Sequence, residues 1–182
     1  MSQVEAKGNT KAGAWVDTKL TYNFQFRPLY LETPMTSTSV KPIPEGFHSV
    51  TPYMTASDAK AVIDFLQRTF DAQVTERIDD EQGRIRHAQV KIGDSYLMLT
   101  DGNDECLPAP AAFYLYLSDV DGAYARALRA GGTSVMEPAD QFYGDRNAGV
   151  RDTCGNTWWL ATHIEDVPSE EIARRARAQG RA

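Results

Sequence analysis

The chain of 182 residues predicts an α+β fold made from two copies of one unit, and two observations predict it. First, residues 52–74 (PYMTASDAKAVIDFLQRTFDAQV) and 113–135 (FYLYLSDVDGAYARALRAGGTSV) align with a shift of 61 positions, placing Ser57 on Ser118, Asp58 on Asp119, Arg68 on Arg129 and Val74 on Val135. Second, the likeness continues into residues 92–99 (IGDSYLML) and 154–161 (CGNTWWLA), where a turn glycine precedes an aromatic and apolar strand. Two copies at so long a period do not make a solenoid, so the halves must bury their faces against each other. A cleft shared between them is then the natural ligand site.

Each element of the unit has its own signal. The copies open on a short strand of alternating apolar residues, pass a Ser-Asp pair that serves as a helix start, and continue with apolar residues at three- and four-residue spacing. A second strand follows the helix. Asp79, Asp80 and Glu81 then fall in a hairpin, where a solvated turn explains three carboxylates better than acid–base chemistry does.

The flanks differ in character from the repeats. Residues 1–45 read as an extension: a polar, glycine-containing start, then LTYNFQFRPLYLE at 20–32, then a Ser/Thr- and Pro-rich linker, TSTSVKPIPEG at 36–46. Tyr22, Phe24 and Phe26 share one side of the extended segment, and Pro28 bars it from a sheet interior. Such an arm either covers its own core or is exchanged between protomers. Residues 46–165 form the expected domain, with modules at 46–102 and 112–163. Residues 166–182 read as a helical tail capped by Ser169 or Asp166, with Arg174, Arg175 and Arg177 toward its C-terminal end, where they suit the helix dipole.

Composition narrows the function classes. A net charge of −6 argues against a nucleic-acid surface. No apolar run reaches membrane-spanning length, and MSQVEAKGNTK lacks the apolar stretch of a secretory signal, so the expectation is a cytoplasmic protein without a membrane partner. Cys106 and Cys154 are too few and too far apart for a metal knuckle or a disulfide framework.

Three segments together, KPIPEGFHSVTPYM at 41–54, HAQVKIGDSYLML at 87–99 and DQFYGDRNAGVRDTCGNTWWLATHIEDV at 140–167, carry a family resemblance. Over residues 41–173 the chain resembles the vicinal oxygen chelate superfamily, of glyoxalase, bleomycin-resistance and dioxygenase type, and within it the PhnB-like branch. The resemblance implies two βαβββ modules forming a cupped sheet around a central cavity, most often as a homodimer. It leaves activity open, because the superfamily hosts lyases, isomerases, dioxygenases and non-catalytic drug-binding proteins.

The resemblance also says where a metal would sit. Catalytic relatives hold one divalent cation through side chains of equivalent strands. The matching positions here are Thr51 and Ala112 on the first strands, Trp159 on the last strand, and Leu97 or Met98 as its counterpart. These side chains do not make a metal site, so no metal or other cofactor is expected to be required. His48 and His87 are the candidates for a non-standard metal site. His163, beside Glu165 and Asp166, reads as a paired surface group. Asn156 and Cys154 depart from the branch, where His and Phe are common, and alter either the cavity floor or its packing.

Strand alternation supplies the candidate binding face. If Thr51 and Ala112 face inward, then Tyr53, Thr55, Tyr114 and Tyr116 do too, with Trp159 opposite them, and the result is an aromatic cup. His48, His87 and Tyr143 join that candidate site. Gly144 allows a sharp turn that would bring Asp145 and Arg146 to the rim, where Arg146 either grips an anionic group or pairs internally with Asp152 or Asp145. The leading expectation is binding of a small, partly aromatic or conjugated molecule without a metal. A superfamily enzyme with a non-standard or metal-free site is the alternative, and a protein-interaction module using the arm is a second.

Overall fold

A computed structural model describes residues 40–180, and the expected arm at 20–32 lies outside them. The order of elements is βαβββ twice, then a helix. The first module comprises β1 (Tyr53–Ala56), α1 (Ala59–Phe70), β2 (Gln73–Asp79), β3 (Ile85–Ile92) and β4 (Ser95–Asp101). The second comprises β5 (Ala112–Tyr116), α2 (Val120–Arg129), β6 (Thr133–Asp140), β7 (Asp145–Arg151) and β8 (Thr157–His163), and α3 (Ser169–Ala178) follows.

Each module makes one mixed four-stranded sheet, ordered β1-β4-β3-β2 in the first and β5-β8-β7-β6 in the second. The first strand of each pairs in parallel with the last, and the remaining pairs are antiparallel. Consequently, among the described residues β1 and β5 each pair with one strand only, and the outer edge of β1 is met by a loop, Ala109 N–H donating to the Thr55 carbonyl at 3.3 Å.

The duplication extends to the caps. Asp58 accepts a hydrogen bond from Ala61 N–H at 2.9 Å, and Asp119 accepts one from Gly122 N–H at 2.9 Å. The first residue of each helix is held as well: Ala59 N–H donates to Asp101, and Val120 N–H to Thr162, a residue at the matching repeat position. Orphan N–H groups at both helix starts are therefore satisfied from within the module.

The core lies between sheets and helices. Met54, Ala88, Val90, Leu97 and Leu99 from the first sheet and Ala148, Val150, Trp158 and Leu160 from the second are buried, together with Val62, Phe65 and Leu66 of α1. Trp158, 1% exposed, joins the modules: its ring stacks on Phe113 at 4.6 Å and packs against Phe65 and Phe70 of α1. Its indole N–H donates to Asp152, which also accepts from Asn156 and Cys154.

Helix α3 departs from the expected capping. Pro168 occupies the N-cap and provides no side-chain hydrogen bond, because its ring has no polar group; Asp166 is engaged by His163 instead. Arg174 and Arg175 both pair with Glu171, and Arg175 also reaches Glu165, which fixes these two of the tail's basic residues in internal ion pairs.

Candidate functional site

Alternation along the strands gives each sheet one face on the helices and one face open. On the first sheet the open face carries Tyr53, Thr55, His87, Gln89 and Met98, since Tyr53 lies opposite Met98 and Gln89 opposite Met98 from the other side. Tyr53 is 56% exposed and its ring lies 6.3 Å from the His87 ring in a stacked arrangement. Gln89 donates to Glu76 at 2.7 Å, and its amide nitrogen is 3.3 Å from His87 Nε2.

On the second sheet the open face carries Ala112, Tyr114 and Tyr116 from β5, Trp159, Ala161 and His163 from β8, and Asp145, Asn147 and Gly149 from β7. Tyr114 lies opposite Trp159, as Tyr53 lies opposite Met98, so Met98 rather than Leu97 is the first-module counterpart of Trp159. The Trp159 ring does not stand out from the sheet. It lies across Gly149, where an added Cβ would sit 2.7 Å from a ring carbon.

A polar cluster closes one end of this face. Asp145, 4% exposed, accepts hydrogen bonds from the Tyr114 and Tyr116 hydroxyls, each at 3.2 Å, and its other oxygen lies 2.8 Å from His163 Nδ1. Asn147 donates to the Tyr114 oxygen at 2.8 Å. Burial, with Tyr143 and Asp145 adding to it, pushes the Tyr114 hydroxyl up, and burial followed by Asp145 does the same for Tyr116, so both phenols remain protonated donors near neutrality. Hydrogen bonding to Asp145 and then to Asp166 raises the His163 imidazole above its ordinary value.

A cavity of about 530 Å³ lies between the modules and runs along β5. His48, Thr51 and Tyr96 border it from the first module, and residues 113–117 with Trp158 from the second. Of the residues named from sequence, His48, Thr51, Tyr114 and Tyr116 meet in this cavity; Tyr53 and His87 sit together on the first open face; and Tyr143 stands by the Asp145 cluster. Trp159, expected to project between the halves, gives that place to its neighbour Trp158.

Arg146 is turned away from all of these. It alternates with Asp145 and Asn147 on β7, so its side chain emerges on the helix side, where it makes a two-nitrogen fork to Asp121 and a third bond to Asp140. The internal partners therefore differ from the expected Asp152 and Asp145. Asp152 instead organises the last turn, and Asn156, 2% exposed, bridges it to the Ala111 N–H, which makes the Asn156 departure one of packing.

A divalent cation does not fit the positions the resemblance implies. Thr51 spends its hydroxyl proton on the His48 carbonyl at 3.1 Å, Ala112 has no donor atom, and Met98 and Trp159 offer at most a weak thioether. Among the described residues no group of three or more His, Cys, Asp or Glu is arranged to hold a metal ion. None of the described helices is long and apolar enough to cross a membrane.

Two βαβββ modules, each a mixed sheet with an open face, define the class of fold, and comparison with known proteins defines the family. The model of the Glyoxalase/Bleomycin resistance protein/Dioxygenase superfamily matches residues 46–160, and the chain belongs to that superfamily. A Mycobacterium bovis relative, uncharacterized protein Mb0911c, is 32% identical over 143 residues, covering 72% of this chain and 94% of the relative. Among solved structures, TioX from Micromonospora sp. ML1 is 26% identical with a TM-score of 0.55, over 63% of this chain and 98% of TioX. TnmS3, an antibiotic binding protein from Streptomyces sp. CB03234, has a TM-score of 0.50 at 23% identity, over 69% of this chain and 98% of its own, a likeness of fold.

Proposed function

We propose that the protein binds and sequesters a small, partly aromatic or conjugated molecule, with no metal required. The observation that carries this reading is the cavity along β5, where tyrosines from one module face a threonine and a histidine from the other. Tyrosine supplies rigid stacking area together with a polar end, which suits a planar ligand bearing hydroxyl or carbonyl groups. The poor donor set at Thr51, Ala112, Met98 and Trp159 supports binding without a cation.

The reading includes a homodimer. Tyr53 and Tyr114 are 56% and 47% exposed, and among the described residues β1 and β5 each end their sheet with a single strand partner. Exposed aromatic faces beside edge strands favour a second copy as cover, β5 of one protomer lying along β1 of the other.

The test is a panel of planar conjugated dyes and antibiotics, antibiotics being included because TnmS3 is an antibiotic binding protein, titrated against intrinsic tryptophan fluorescence with and without chelator. The expected result is saturable quenching that chelator leaves unchanged and that Tyr114→Ala or Tyr116→Ala weakens. Stoichiometric metal in protein purified without chelator, together with a fall in melting midpoint on removing it, would replace this reading with a metal-dependent enzyme.

A further inference from the structure

A second cleft, of about 600 Å³, lies between the end of the second sheet and the start of α3. Tyr116, Tyr143, Asp145, His163 and Asp166 form one side, and Val167, Pro168 and Ile172 the other. Among the described residues no Lys or Arg lines it. The nearest guanidinium along the chain, Arg146, is committed to Asp121 and Asp140 on the opposite face, and Arg175 is committed to Glu165 and Glu171.

The cluster's charges do not balance. Asp145 is buried, and its partners are two phenols and one imidazole. Asp166, whose side chain is fully exposed, has only the far nitrogen of that same imidazole, at 3.0 Å. Two carboxyl groups thus share one imidazole, so two acids face at most one cation among the described residues. The Tyr116 hydroxyl donates its hydrogen bond to Asp145, which leaves the lone pairs of its oxygen as acceptors at the cleft, beside the Tyr143 ring.

We propose that this cleft is a binding site for an organic ammonium group carrying an apolar body. The ammonium takes Asp166 from His163, donates a second hydrogen bond to the Tyr116 oxygen and lies against aromatic faces, while the body rests on Val167, Pro168 and Ile172. The site is separate from the cavity along β5, although Tyr116 borders both. It stands or falls independently of the sequestering function.

A matched set of probes, benzylamine, benzyl alcohol and benzoate, decides it by NMR on the full chain, read at the Ile172 methyls and the His163 ring. Benzylamine is expected to shift both saturably and to lower the His163 titration midpoint, because a bound cation disfavours the imidazolium and removes its Asp166 partner. Asp166→Asn, an exposed change, is expected to weaken benzylamine roughly two- to fivefold, the scale of an exposed ion pair. Equal or stronger binding of benzyl alcohol or benzoate at Ile172, an unchanged His163 midpoint at saturation, undiminished affinity in Asp166→Asn, or shifts confined to Tyr96 and Trp158 would each overturn the proposal. Loss of planar-ligand binding along β5 with the Ile172 response intact would instead fault the sequestering reading alone.

Discussion

Arg68 donates a hydrogen bond to the backbone carbonyl of Arg129 at 3.0 Å, and these two residues hold the same place in the two repeats. Arg126 returns the contact, donating to the Thr69 carbonyl at 2.8 Å. Each helix thus has one carbonyl of its last turn bonded by a guanidinium from the other copy, where a positive charge also suits the helix dipole. The α1–α2 contact is therefore made of directional bonds as well as burial.

Replacing Arg126 by Ala is expected to destabilise the domain by about 1.5–3 kcal/mol, the range for a hydrogen bond to a charged group. The more exposed Arg68→Ala should cost less. Urea unfolding of each variant and of the pair checks this, and the double variant should lose no more than the sum, since each guanidinium serves a different carbonyl.

The adjacent tryptophans should behave in opposite ways. Trp158 is buried, stacked on Phe113 and bonded to Asp152, so Trp158→Ala should cost about 3–5 kcal/mol in stability. Trp159 lies on the open face over Gly149, and Trp159→Ala should cost considerably less. Gly149→Ala is the finer test: a methyl group there meets the indole, so the ring must lift from the sheet, and Trp159 emission should shift to the red with no comparable change at Trp158. Unaltered emission from a folded Gly149→Ala protein would mean the ring does not rest there.

Much of this was legible because duplication copies local rules. Asp58 and Asp119 announce both helix starts, and period-two alternation places Tyr53, Thr55, Tyr114 and Tyr116 on open faces. Alternation alone cannot say which of two adjacent tryptophans meets a helix from the other module, and so Trp159 was expected where Trp158 lies. The Asp145 cluster joins residues from three strands, β5, β7 and β8, and its partners are set by register across the sheet. One signal was available: Asp145, Asn147 and Gly149 alternate along β7, so two polar side chains and a glycine share the face that Tyr114 and Tyr116 occupy. The same alternation sends Arg146 to the helix side.

The edge of β5 away from β8 yields a sharp pair of substitutions. Thr157 N–H donates to the Ala111 carbonyl and Leu117 N–H to the Ala161 carbonyl, so odd-numbered residues of β5 bond to β8 and even-numbered ones point their N–H outward. Leu115→Pro should therefore break the ladder and unfold the second sheet. Tyr114→Pro removes an N–H that faces the edge, so it should preserve the fold while weakening self-association. Sedimentation of the two variants checks the difference, and an undiminished dimer in Tyr114→Pro would remove β5 from the interface.

His163 should make stability depend on pH in one direction. Its imidazole is raised above the ordinary histidine value by Asp145 first and Asp166 second, so the folded state binds its proton more tightly than the unfolded chain does. That contribution is fully present below the unfolded value of about 6.5 and is lost as pH rises through the folded one. Its size is held down by solvent, because the side chain is 53% exposed. Melting midpoints measured from about pH 6 to about pH 9 should fall on the alkaline side in the parent and be flatter in His163→Gln, where nothing titrates against Asp145. Glu171 supplies a contrasting window at the other end: pairing with Arg174 and then Arg175 lowers its carboxyl to about 2, so the stability it adds is present above 4.5 and lost as pH falls toward that value. His163→Gln should therefore leave the acid limb unchanged while flattening the alkaline one, and a variant that altered both limbs would show that His163 acts through the fold rather than through its own proton.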